Sequence, residues 1–195
     1  MSADTALKAR RVSLDDFEEM LTDMPENGRW ELIDGRVIKG MVGARAGHHQ
    51  MIRKLDYRLR RHFERTGRPC MTFSETFYLR NDALEIQALP DLMVHCDPLP
   101  PDARFINDPI VIIEVLSPGT ETRDRTIKSR NYRLLRSLQH YAMIDRDTMC
   151  VETYDRVASE SGWLIGELTK PGDKLKLSVL DFEISLSEIY DGVLS

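Results

Sequence analysis

The alternation of apolar and polar positions divides the chain into helix-like and strand-like stretches. Ser13 followed by Asp16 resembles a capping box opening a short helix through Met24, which Pro25, Asn27 and Gly28 end. The stretch from Trp30 to Ile38 reads as two strands folded at Asp34-Gly35, where glycine supplies the positive φ of a tight hairpin turn. After a glycine-rich loop at 40–47, Ile52, Leu55, Leu59 and Phe63 recur at helical spacing and leave the arginines on the other faces. Strand-like runs follow at Met71 to Leu79, Leu89 to Cys96 and Ile110 to Leu116. The link between the last two is too short and too rich in proline for a crossover helix, so they are expected to be antiparallel neighbours.

Ser117-Pro118-Gly119-Thr120 closes the third run, and a basic helix is expected from about Arg123 to Leu138. Further strands are expected at His140 to Asp145, Cys150 to Asp155, Trp163 to Leu168 and Leu175 to Val179. Residues 1–11 read as a flexible tail and 12–195 as one domain. A sheet with helices before and after it implies a layered α/β or α+β domain.

Composition narrows the class. Of 195 residues, 42% are hydrophobic and 30% charged, enough apolar material for a core and too much for a disordered or fibrous chain. No apolar run approaches the ~18 residues of a membrane helix, and the basic start has no apolar segment behind it, so a cytoplasmic protein without a signal or membrane contact is expected. The three cysteines, Cys70, Cys96 and Cys150, are isolated and odd in number; they read as buried thiols rather than a disulfide framework or a CxxC zinc site. His95-Cys96-Asp97 is no zinc site either, because adjacent strand residues face opposite ways.

The formal net charge is −5, yet thirteen of the 27 basic residues fall within 48–68 and 123–136, while 151–195 holds four basic against nine acidic residues. A mildly acidic chain can therefore present a basic surface to a polyanion. Charge alone leaves that reading and one of solvated helix faces equally open.

Glu114 is the most informative residue. It lies inside Ile110-Val111-Ile112-Ile113-Glu114-Val115-Leu116, a run apolar on both faces and so expected to be a central, doubly covered strand. Burying a carboxylate there costs several kcal/mol unless a cation meets it, whether a metal or an internal arginine. Asp91 opens the neighbouring run and could lie beside Glu114 at one end of the sheet. Two such carboxylates repel unless a divalent ion neutralises them, and an all-oxygen shell suits Mg²⁺ or Mn²⁺. The Pro90-Asp91 dipeptide means nothing singly, since Pro101-Asp102 repeats it in a polar loop.

Pro-Asp followed by a Glu in an apolar strand resembles the PD-(D/E)XK restriction-endonuclease-like superfamily, in which two acids hold Mg²⁺ and a lysine completes the site. More closely, the chain resembles the Uma-two endonuclease family over about 13–190. The resemblance rests, in order, on Trp30-Glu31-Leu32-Ile33-Asp34-Gly35, His49-Gln50 with Ile52 and Leu55, Pro90-Asp91, Glu114-Val115-Leu116-Ser117-Pro118, Asp124 with Lys128 and Tyr132, and His140-Tyr141 with Ile144-Asp145. Leu116 stands where the superfamily has its lysine, and Lys128, four residues from Asp124 and from Tyr132 on one helical face, takes that place. Ala142 and Val42-Gly43-Ala44-Arg45 also depart from the family pattern, touching packing and loop shape more than charge.

The resemblance implies a three-layer α/β domain of the restriction-endonuclease-like type, a central mixed β-sheet flanked by helices. It implies a Mg²⁺-dependent endonuclease acting on DNA, with Mn²⁺ as a substitute. Asp91, Glu114 and the backbone carbonyl of Val115 would hold the ion, and Lys128 would orient water or stabilise phosphoryl charge. Replacing Lys128 is expected to lower turnover about 10²-fold with folding nearly intact. Glu31, His49 and Gln50 are accessory candidates, each with a purely structural alternative, and Arg53, Arg60, Arg123, Arg125 and Arg130 are expected phosphate contacts. A homodimer is compatible with this reading. A catalytically silent nucleic-acid-binding or regulatory module on the same fold, and a partner-binding domain with solvated basic helices, remain the alternatives.

Overall fold

The computed structural model describes residues 11–25, 28–40, 45–119, 121–157 and 162–194. The tail expected at 1–11 lies outside these residues except for Arg11, whose guanidinium pairs with Asp34. The expected capped helix is α1 (Leu14–Asp23), with the Ser13 hydroxyl accepting from the Asp16 amide. It is followed by the hairpin β1 (Arg29–Ile33) and β2 (Arg36–Gly40). Asp34 and Gly35 both have positive φ, 54° and 68°, the pair that a two-residue turn matched to strand twist demands.

α2 (Ala46–Thr66) carries one buried stripe, His48, Met51, Ile52, Leu55, Leu59, His62 and Phe63. It ends at Gly67, whose left-handed conformation returns its amide to the Phe63 carbonyl. The run expected as one strand from Met71 to Leu79 is two: β3 (Met71–Ser74) and β4 (Tyr78–Asn81), which belong to different sheets. Glu75, at φ 52°, turns the chain between them. β5 (Ile86–Ala88), β6 (Leu92–His95), the short β7 (Phe105–Ile106) and β8 (Val111–Leu116) follow, and β6 and β8 are antiparallel as the short link requires.

The expected basic helix begins slightly earlier and stops sooner: α3 (Glu121–Arg123), a π-type turn (Asp124–Lys128) and α4 (Ser129–Tyr132) form one continuous run, 121–132. Then come β9 (His140–Asp145), β10 (Val151–Arg156), β11 (Trp163–Leu168), β12 (Lys174–Leu177), β13 (Phe182–Ser185) and α5 (Leu186–Tyr190). The last strand and helix were not expected; their alternate burial is short, and Ser185 supplies a full capping box with Glu188.

The strands form a six-stranded mixed sheet, ordered β11-β10-β9-β8-β6-β3, a five-stranded sheet, ordered β2-β1-β5-β4-β7, and the ribbon β12-β13. The parallel β8–β9 pair sits at the middle of the larger sheet. On one face Val111, Ile113 and Val115 pack with the α2 stripe and the ribbon. On the other, Ile112 and Leu116 pack with Tyr132, Leu135 and the inner face of the five-stranded sheet, Ile33, Leu79 and Ile86. α1 covers the outer face of that second sheet through Phe17 on Leu32. The result is the layered α/β domain with a central mixed sheet, one outer layer being α2 and the other a second sheet joined by helix 121–132.

The cysteine expectation is corrected. Cys70 and Cys96 form a disulfide, and none of the three cysteines is fully buried. The antiparallel β3–β6 register pairs Met71 with His95, so the next pair outward sets Cys70 opposite Cys96, a proximity that a sequence separation of 26 residues conceals. Among the described residues no helix is long and apolar enough to cross a membrane.

Two stability measurements follow. Reducing the Cys70–Cys96 bridge frees a loop of about 25 residues and is expected to cost about 2–4 kcal/mol, read as a lower urea midpoint in dithiothreitol. Leu55→Ala, at a fully buried position of the α2 stripe, should cost about 2–5 kcal/mol by the same titration.

Candidate active site

Glu114 shares a strand face with Ile112 and Leu116, so its carboxylate points from β8 toward helix 121–132 and the second sheet. Register brings its companions. Leu92 pairs with Ile113, so one step further Asp91 stands opposite Glu114. The Val115 amide donates to Asp91 Oδ2 at 2.9 Å, and the Asp91 amide lies 3.4 Å from Glu114 Oε2. From the second sheet Glu31, on the inner face of β1, accepts the Leu89 amide at 2.8 Å.

Helix 121–132 supplies the cation. Lys128 is 4% exposed, and its ammonium lies 3.0 Å from Glu114 Oε1, 3.2 Å from Glu31 Oε1 and 3.7 Å from Asp124 Oδ1. The Tyr132 hydroxyl donates to the same Glu114 oxygen at 3.3 Å. The π-type turn spans Asp124 to Lys128, with the Ser129 amide reaching back to the Asp124 carbonyl. Such turns widen a helix locally and re-aim its side chains, and no sequence pattern announces them.

Electrostatically the cluster holds four buried carboxylates, Glu31, Asp91, Glu114 and Asp124, against one buried ammonium. Burial pushes the Glu114 carboxyl well above the usual carboxylate range; Lys128 opposes this, but Asp91, Asp124 and Glu31 reinforce it. Burial also disfavours the Asp91 anion, yet the bond to His48 and the charge of Lys128 outweigh it and hold that carboxyl below its ordinary value. Lys128 is held above the ordinary lysine value, because the attraction of Glu114, Glu31, Asp124 and Asp91 exceeds its own desolvation.

A pocket of about 190 Å³ opens on this cluster, lined by Glu31, Asp91, Asp124 and Lys128 and walled by Arg29, Arg45, Arg123 and Arg146 with the Ser117–Gly119 loop. Arg146 is engaged by Asp147 through two hydrogen bonds, and Arg29 donates to the Leu89 carbonyl. The buried carboxylates of Glu31, Asp91 and Asp124 on this lining are oxygen donors of the kind a hard divalent ion takes. Among the described residues no three such side chains already form a metal cage; the carboxylates converge on Lys128 instead.

The structure thus brings together Asp91, Glu114, Lys128, Glu31 and the Val115 backbone. It places the accessory candidates His49 and Gln50 on the exposed side of α2, with His49 3.6 Å from Glu75, and sets His48 against Asp91 in their stead. His48 belongs to the buried stripe of α2, the signal that could have chosen it over its neighbour. Of the expected phosphate contacts only Arg123 lines the pocket. Arg53 and Arg130 are exposed, Arg125 pairs with Glu121 and Glu152, and Arg60 pairs with Asp56 about 18 Å along α2 from His48. Elsewhere on α2, Lys54 and Arg58 pair with Asp191 and Glu188, so the acidic end of the chain neutralises part of the basic helix.

The expectation that Lys128 could be replaced with folding intact does not survive its burial. Lys128→Met strips the counter-charge from buried acids and should cost about 3–5 kcal/mol at neutral pH. That loss should shrink as pH falls and the acids take up protons, a trend readable by thermal melts across pH. Glu114→Gln should behave oppositely. A carboxyl whose folded value is raised destabilises the fold only above its unfolded value near 4.5, so the variant should match wild type at pH 4 and exceed it by about 1–2 kcal/mol at pH 7.

Residues 14–187 match the family model Uma2, described as "Putative restriction endonuclease". A Synechocystis protein described as uncharacterized is 32% identical over 105 residues, 53% of this chain, and the alignment spans about half of that relative's length, 54%. The crystal structure of "a putative nuclease belonging to DUF820" from Anabaena variabilis superposes with a TM-score of 0.75 at 19% identity, covering 94% of this chain and 99% of that one. This last likeness is one of fold.

Proposed function

The chain belongs to the Uma2 family, and from that premise we propose that it is a Mg²⁺-dependent endonuclease that hydrolyses DNA phosphodiester bonds, with Mn²⁺ as a substitute and the cytoplasm as its setting. The observation that carries the reading is an arginine-walled pocket lined by Asp91 and Lys128, with the buried carboxylate of Glu114 behind that lining, 3.0 Å from Lys128. Asp91 and Glu114 would hold the ion. Within one extended residue the N–H and C=O face the same strand edge, so the Val115 carbonyl lies on the Asp91 side and is the third candidate ligand. Glu31 is the carboxylate in reserve beside them. A bound divalent ion supplies a nucleophilic water at neutral pH and polarises the phosphoryl oxygen.

The remaining work falls to the chain itself. Lys128 keeps its proton in this acidic setting, so it can donate to the attacking water or to an oxygen gaining negative charge. Arg123, on the pocket wall, would hold the backbone phosphate there. Arg53, Arg60, Arg125 and Arg130 would meet phosphates farther along the strand.

One observation favours a second reading. The ammonium of Lys128 already sits among the carboxylates where an ion would enter, as expected of a silent nucleic-acid-binding module that keeps the fold without turnover. Supercoiled-plasmid nicking separates the two. Endonuclease activity predicts nicking with Mg²⁺ or Mn²⁺, none in EDTA, and a loss of about 10²-fold or more in Asp91→Asn. Binding of DNA without nicking in any divalent ion supports the silent module. In either case Arg123→Ala should lower the slope of log affinity against log salt by about one, measured by fluorescence anisotropy.

A further inference from the structure

Among the buried side chains of the pocket that the proposed chemistry leaves without a role is His48. His48 lies at the N-terminal end of the α2 stripe, its side chain one-tenth exposed, and its Nε2 stands 3.1 Å from Asp91 Oδ2. That oxygen already accepts the Val115 amide. Since an ionised carboxylate can only accept, the imidazole donates through Nε2 and its buried Nδ1 makes no hydrogen bond. The terminal torsion of an aspartate is broad, so no rotamer preference fixes the plane of its carboxylate. One donor at Oδ2 would leave that plane free to turn about the bond. Two donors, one from β8 and one from α2, pin it and saturate Oδ2, which leaves Oδ1 as the oxygen able to face a cation.

We infer that His48 is a positioning residue that acts through Asp91, fixing the carboxylate so that one oxygen is reserved for the divalent ion. The inference rests on the reading of Asp91 as a ligand and adds the element that orients it. Outer partners of this kind are worth about 10- to 100-fold in metal affinity. The helix that carries His48 is firmly seated, since the α2 stripe from Met51 to Phe63 anchors it on the central sheet and the imidazole is placed by core packing and not by a loop.

The test separates the donor from the bulk of the side chain. Glutamine carries an amide N–H at the reach of Nε2, whereas asparagine places it at the reach of Nδ1, too short for Asp91. Mn²⁺ binding to the full chain, followed by electron paramagnetic resonance without DNA, should be retained within about 3-fold in His48→Gln and weakened about 10- to 100-fold in His48→Asn. Metal-free thermal midpoints should fall by similar amounts in both variants. Equal Mn²⁺ affinity in wild type and both variants, or an equal loss in both, overturns the role of His48. A wild-type chain that binds no Mn²⁺ refutes instead the divalent-ion site on which it rests, so the two failures are distinct.

Discussion

The contact between Lys128 and Glu114 is the constraint around which the rest is arranged. A carboxylate in the middle of a doubly covered strand has no access to water, and its burial is tolerated only because a charge of opposite sign is delivered within 3.0 Å. That delivery fixes the packing of helix 121–132 against β8. It also draws in Glu31 from the second sheet, so one ammonium ties together three elements distant in sequence. Replacing such a cluster with apolar side chains would generally be neutral or stabilising. Its place beside an open pocket therefore argues for chemistry rather than for stability, as perturbed acids in clefts do more widely.

Topology explains how the groups meet. The parallel β8–β9 pair places the end of β8 near the loop Ser117–Gly119 and the helix that follows it. β6 runs against β8, which turns the start of one strand toward the end of the other and so sets Asp91 beside Glu114. In this arrangement Leu116 is committed to the core shared with Tyr132 and Tyr141, and a lysine there would have to abandon that packing. Moving the cation to the helix lets the strand stay apolar beyond Glu114. The π-type turn lies within this stretch, and the four-residue spacing of Asp124, Lys128 and Tyr132 sets all three at the same carboxylate cluster.

Much of this was legible in the sequence, and the reasons are local. The hairpin at Asp34-Gly35 announces itself because only a positive φ closes so short a turn. Glu114 is conspicuous because an acid interrupts an unbroken apolar run, and Asp91 follows from the short link between two strands. The features that stayed hidden were set by tertiary partners. The break at Glu75 divides one β-like run between two sheets, the Cys70–Cys96 bridge depends on a strand register, and the buried face of α2 selects His48 over His49. Basic density is less informative for a related reason. Sequence counts arginines, but Glu188, Asp191 and Asp56 answer several of those on α2, and the pocket draws its own from β1, the start of α2, helix 121–132 and the end of β9.

The same ammonium that stabilises the cluster bears on how a metal would be admitted. Four carboxylates share the buried ammonium of Lys128 and, at Asp124, the guanidinium of Arg123, and burial keeps Glu114 reluctant to ionise. On the proposed reading, a divalent ion held by Asp91 would relieve that reluctance with Lys128 still in place, because Asp91 presents its carboxylate from the opposite strand while Lys128 contacts Glu114 through Oε1. Glu114 is approached on two sides, by the Lys128 ammonium at Oε1 and by the Asp91 amide at Oε2. The carboxylate excess that makes the cluster costly is thus the feature that would let it take a dication and keep its lysine, with Asp91, bonded to His48 of α2, as its member on the pocket wall.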